Sequence, residues 1–167
     1  MAIKNTVWKW YALAILMVAL DQLSKNWVSA NFNYGQPWVI TDFFNLTLLH
    51  NKGAAFSFLS DAGGWQRWFF AVIALAVSSV LVVWMARVEA SQRWLLIALA
   101  LVLGGAIGNL YDRVVLGYVV DFIVLHYDQH YWPAFNIADS AICVGAGMLI
   151  IDSFKTPKKD TAQAESK

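Results

Sequence analysis

Long uncharged runs constrain this chain more than any other feature. Residues 68–86 and 94–111 carry no charge, and residues 133–151 carry only Asp139. About 20 apolar residues take a helix across the hydrocarbon core of a bilayer. Within that core each segment must satisfy its own backbone polar groups, which favours helices. A fourth run, residues 8–20, is apolar except for Lys9 and reaches spanning length only by continuing through Asp21 and Lys25 to about residue 30. The expected architecture is an all-α integral membrane protein with four transmembrane helices at about 8–29, 66–87, 93–113 and 133–152. Composition agrees: 59% of residues are hydrophobic and 14% charged, against about 25% charged in soluble domains. Residues 1–154 read as a single membrane-embedded unit, and the polar stretch 155–167, with Pro157, as a disordered tail.

The first run also has the outline of a signal peptide: Lys4 and Lys9 ahead of an apolar stretch, then Val28-Ser29-Ala30. Asp21, Gln22 and Lys25 are too polar for a cleavage region, so it reads as a retained span. The net charge of +1 and the lack of a basic patch with interleaved aromatics argue against nucleic acid as a partner. Cys143, the single cysteine, makes neither an internal disulfide nor a zinc cluster.

Four spans put Lys4, Lys9, Arg87, Arg93, Lys155, Lys158 and Lys159 on one side of the membrane. The positive-inside rule makes that side cytoplasmic, with both termini there. Most tryptophans fall near span ends, as an interfacial belt does.

The two outward connections carry patterns of their own. In FFNLTLL, Phe44, Leu46 and Leu48 alternate with Asn45 and Thr47, and Asn51-Lys52-Gly53 reads as a turn before AAFSFL. A small sheet or hairpin at about 38–60, lying on the membrane surface, is expected. The stretch VVLGYVVDFIVLHY at 114–127 is apolar but short, and reads as an interfacial or re-entrant segment with Asp121 in its middle.

Polar residues cluster in the outward half. Asp21 with Lys25, and Asp112 with Arg113, read as structural pairs. No lysine or arginine lies within four residues of Asp121 or within ten of Asp139, so neither has a local partner. With Pro133 in a first helical turn, Asn136, Asp139 and Cys143 share a helix face at i, i+3 and i+7. Asp139 then lies about 9 Å below Pro133, at the depth of the segment bearing Asp121. Ionisable residues inside a membrane default to function. Two close carboxylates share a proton, and such a pair activates water: the ionised member takes a proton while the protonated one polarises a scissile carbonyl.

Other chemistries lack support. There is no HExxH and no GxSxG. His126 and His130 lie in a polar loop, Ser140 has no evident base, and Cys143 reads as helix packing. The glycines at 104–108 and 145–147 read as sites of close helix approach.

The blocks DQLSK (21–25), NKGAAFSFL (51–59), GGAIGNLYDR (104–113), VVDFI (119–123) and FNIADSAI (135–142), in that order, resemble bacterial lipoprotein signal peptidases. The resemblance implies four transmembrane helices with an outward β-cradle and a short interfacial helix. It implies an aspartic endopeptidase of the inner membrane, active near the outer face, that removes signal peptides from diacylglyceryl-modified prolipoproteins just before the lipidated cysteine. It places the catalytic pair at Asp121 and Asp139, and substrate-binding positions at Asn51, Gly53, Asn109, Arg113 and Asn136. A more structural role falls to Asp21, Lys25 and Asp112. It implies no metal or cofactor, inhibition by globomycin-type cyclic peptides, membrane lipid as surroundings and a monomeric enzyme. The competing reading is a small proton-coupled carrier or an assembly factor using the same carboxylates. Against it stand the lack of an internal repeat and of polar residues continuing to the cytoplasmic side.

Overall fold

The structure, a computed structural model, describes residues 7–53 and 63–155. In chain order these form α1 (Trp8–Asn31), β1 (Trp38–Thr41), β2 (Phe44–Asn51), α2 (Gln66–Arg87), α3 (Arg93–Val115), β3 (Val119–Tyr127), β4 (His130–Tyr131) and α4 (Ile137–Lys155). Three helices, α2, α3 and α4, are long and apolar enough to cross a membrane. α1 is long enough but carries Lys9, Asp21 and Lys25; the last two are buried.

α3 is the central helix and packs against α1, α2 and α4. Its glycines make this possible. A Cβ on Gly104 would stand 2.6 Å from the Met17 Cβ of α1, and one on Gly105 would collide with the Ala138 carbonyl oxygen of α4. On the facing helix, a Cβ on Gly145 would lie 2.7 Å from the Ala98 carbonyl oxygen. Small residues at such crossings let backbones approach and gain dispersion contacts where lipid supplies no hydrophobic drive.

Leu81, Met85, Leu96, Leu99 and Leu103 form a core toward the end of the bundle away from the sheet. Two aromatic donors also tie helices there: the Tyr11 hydroxyl donates to the Val82 carbonyl at 2.9 Å, and Trp94 Nε1 to the Met148 carbonyl at 2.9 Å.

At the other end the strands form one antiparallel sheet in the order β1-β2-β3-β4. Val28 of α1 packs with Leu48, Val120 and Phe122 and fastens helix to sheet. The register places Leu46 opposite Ile123 and Leu49 opposite Asp121, so β2 carries one extra residue beside Asp121. Such a bulge bends a strand and re-aims its side chains. Beyond β4 the chain returns to β3: Phe135 exchanges backbone hydrogen bonds with Ile123 at 2.9 and 3.1 Å before α4 begins.

Several expectations are corrected. The helical architecture carries a four-stranded sheet, and residues 119–127, expected as an apolar segment outside the sheet, are a strand of it paired with β2. Their β-branched and aromatic residues suit a strand, but Val119 to Phe122 are buried without a break, which hides the period of two. Among the described residues there is no short interfacial helix. A hairpin turn lies between Thr41 and Phe44; at 51–53 the chain bends, with the Gly53 N–H bonded to Asn51 Oδ1. Asn45 and Thr47 are buried, as is Leu48 from the other side of β2. α4 starts at Ile137, so Pro133 precedes the helix. AAFSFL, residues 1–6 and the tail beyond 155 lie outside the described residues.

Candidate active site

Asp121 and Asp139 reach one place from two elements. Asp121 points off β3 and is 2% exposed. Asp139 lies in the first turn of α4. Asn136 joins them. Its Oδ1 accepts the Asp139 backbone N–H at 2.9 Å, and Asp139 Oδ2 accepts the Asn136 backbone N–H at 3.2 Å. This is a reciprocal capping box. The Asn136 Nδ2 donates to Asp121 Oδ1 at 2.7 Å. Asn136 is therefore the helix cap and does not share a helix face with Asp139.

Two further amides complete the carboxylates' partners. Asn109 Nδ2, on α3, donates to Asp139 Oδ1 at 2.7 Å, and Asn51 Nδ2, at the end of β2, donates to Asp121 Oδ2 at 2.9 Å. The Gly53 N–H bonds back to Asn51 Oδ1 at 3.0 Å, and Arg113 Nη2 donates to the Gly53 carbonyl at 3.3 Å. Arg113 thus holds the chain after β2 over the site, with its guanidinium 5.4 Å from the Phe70 ring centroid.

Burial pushes the Asp121 carboxyl up from its ordinary 3.8 to about 7, and the negative charge of Asp139 adds to the rise; the amides of Asn51 and Asn136 oppose it. Asp121 therefore holds a proton for much of the time near neutral pH.

Behind the pair lies a buried charge cluster. Lys25 Nζ stands 2.8 Å from Asp21 Oδ2, 2.9 Å from Asp112 Oδ2 and 2.9 Å from Asn109 Oδ1. Asp21 Oδ1 accepts the Ala138 backbone N–H at 2.9 Å, capping α4 from another helix, and Asp112 Oδ2 accepts the Val120 N–H at 3.1 Å. The expected pair of Asp21 with Lys25 is present. Asp112 pairs with Lys25 and not with Arg113, because neighbours on a helix point about 100° apart: Asp112 faces α1 and Arg113 faces the cavity.

That cavity, about 660 Å³, opens between α2, α3 and α4. Phe70, Ile73, Val77, Val102 and Ile142 make an apolar trough, and Asn51, Asn109, Arg113 and Asp139 stand at its polar end. A long apolar body with a polar reacting end fits this shape. His126 and His130 lie elsewhere, on β3 and β4; the His126 ring stacks on Tyr131 and its Nε2 lies 3.2 Å from Asn45 Nδ2. Cys143 is exposed and lines the cavity instead of packing between helices.

Two contributors escape sequence reasoning. Arg67 donates to the Arg113 and Val114 carbonyls, each at 2.6 Å, and so closes the end of α3 from α2. Gln22 Nε2 bridges Asp112 Oδ1 at 2.8 Å and Asp21 Oδ2 at 3.1 Å. The signal for Gln22 is a third polar residue within an otherwise apolar helix; Arg67 leaves none, because its partners are carbonyls.

The chain matches the family model for signal peptidase (SPase) II over residues 13–155. It is 61% identical over 146 residues to the lipoprotein signal peptidase of Teredinibacter turnerae, covering 87% of this chain and 86% of that one. To the lipoprotein signal peptidase of Pseudomonas aeruginosa it is 57% identical over 155 residues, 92% of each chain. Among solved structures, one titled as a bacterial membrane enzyme has a TM-score of 0.82 at 30% identity, covering 100% of this chain and 99% of that one.

Proposed function

This chain belongs to the signal peptidase II family, and from that premise we propose that it removes signal peptides from diacylglyceryl-modified prolipoproteins through an aspartate pair, Asp121 and Asp139. As a family member it is an aspartic peptidase that processes prolipoproteins. The observation that carries the assignment of the pair is Asn136, whose side-chain amide and backbone N–H bond one carboxylate each.

The roles divide by setting. Asp139 lines the cavity and sits at a helix N-terminus, a favourable place for an anion. It takes a proton from water as the water oxygen attacks the carbonyl carbon before the lipidated cysteine. Asp121 gives its proton to the carbonyl oxygen. On collapse, Asp139 returns its proton to the departing amine nitrogen, and Asp121 recovers one from the tetrahedral hydroxyl. Arg113 and Gly53 border the position of the substrate backbone.

In this reading α1 is a fourth span, with Asp21 and Lys25 turned inward against α3. Residues 1–154 act as a single unit in the bacterial inner membrane, with a cytoplasmic tail. Both termini face the cytoplasm, and the sheet rests on the outer face. The trough between α2 and α4 takes the apolar signal peptide from the lipid, and globomycin-type peptides block the dyad. The enzyme works as a monomer without a cofactor. Asp121→Asn and Asp139→Asn should each lower cleavage of a diacylglyceryl prolipoprotein by about a thousandfold while the protein still folds and inserts. Cleavage at the parental rate by either variant would overturn the assignment.

A further inference from the structure

Lys25 is 2% exposed and has three oxygen acceptors. Two are carboxylates, Asp21 and Asp112, which suffice to satisfy its charge. The third is the Asn109 side-chain oxygen at 2.9 Å. An asparagine amide can point either way, oxygen for nitrogen. Here the choice is forced. Lys25 Nζ has only N–H bonds to offer, and Asn136 Nδ2 approaches the same Asn109 atom at 3.3 Å. That atom must be the oxygen. The Asn109 NH₂ then lies on the other side, where it donates to Asp139 Oδ1 at 2.7 Å. Flipped, the amide would turn N–H bonds toward an ammonium and lone pairs toward a carboxylate.

We propose that Lys25 is a positioning residue for peptide cleavage, fixing the side-chain amide of Asn109 and through it the carboxylate of Asp139. This rests on the reading of Asp121 and Asp139 as the reacting pair. It goes beyond charge neutralisation in a buried cluster, which would need no contact with Asn109. A displacement of about 1 Å at a reacting group lowers a rate by about a hundredfold, so the orientation of a single amide is enough to matter.

The test removes Lys25 without changing the net charge of the cluster, by the paired substitution Lys25→Met/Asp112→Asn. Steady-state cleavage of a diacylglyceryl prolipoprotein in detergent gives kcat and KM, and tryptophan fluorescence on heating verifies folding. The expected result is a kcat lower by about a hundredfold with KM within about twofold. In an Asn109→Ala background the same pair should lower kcat by no more than about twofold further. An unchanged kcat, a loss carried by KM, or an undiminished loss on top of Asn109→Ala overturns the proposal. If the paired variant does not fold, Asn109→Asp decides: it keeps an acceptor for Lys25 but has no N–H for Asp139. A selective fall in kcat then supports the relay, and a parental kcat overturns it. Asp121→Asn and Asp139→Asn measured alongside separate the two claims. If either cleaves normally the dyad itself fails; if both are inactive and the Lys25 variant is not impaired, only the positioning role fails.

Discussion

At Asp121, burial sets a cost in stability beside the acid role proposed for it. Its folded pKa, about 7, lies above the ordinary 3.8 because burial disfavours the charge. Between those two values the folded state keeps a proton that the unfolded chain releases. Stability therefore falls as pH rises through this window, by about 4 kcal/mol in all. Asp121→Asn removes that dependence. The melting temperature of the variant relative to the parent should rise as pH rises from about 4 to about 7, as thermal unfolding in detergent will show. Catalysis has the same sign. In the proposed mechanism Asp121 carries a proton to polarise the carbonyl, so kcat/KM should decline as pH rises through about 7. A pH–rate profile flat across that range would contradict the acid role.

Among the helices, α3 shows how close packing and site geometry depend on each other. A Cβ on Gly108 would stand 2.6 Å from Asp21 Oδ2, the carboxylate that also caps α4 at Ala138. Gly108→Ala should destabilise the protein by about 1–3 kcal/mol and displace the first turn of α4, lowering both melting temperature and kcat. Arg67→Ala should act more narrowly. It frees two carbonyls at the end of α3, at about 1.5–3 kcal/mol for a charged hydrogen bond, and loosens Arg113 beside them. The sequence makes some of this legible. Charged and amide residues within apolar runs stand out, and helices α2 and α3 can be located to within two residues. Asn136 followed three residues later by Asp139 is a capping signature, but Pro133 is the stronger start signal and misplaces the helix. β3 is illegible because its first half, Val119 to Phe122, is buried on both faces. The partnership of Lys25 with Asp112 and Asn109 is invisible for another reason: it depends on which face α3 turns toward α1, a contact made at Gly104 and Gly108 that spans more than 80 residues of chain.

At the scale of the molecule, the two ends of the bundle are built differently. One is closed by a leucine and methionine core with the Tyr11 and Trp94 ties; the other carries the sheet and the polar site. If the sheet rests on the outer leaflet, cysteines placed at the two ends should label from opposite sides. In a Cys143→Ala background, Tyr127→Cys should react with an impermeant maleimide on intact spheroplasts, and Glu89→Cys only after permeabilisation. The reverse pattern would invert the topology. The backbone bonds between Phe135 and Ile123 bear on this arrangement as well. They join the start of α4 to the strand carrying Asp121, so the proposed pair is tied to the sheet through backbone as well as side chains. An enzyme built this way works as a depth gauge. In the proposed reading its floor would be the plane where the sheet meets the lipid headgroups, and the bond it cuts would be the one that the substrate's own acyl chains hold at that height.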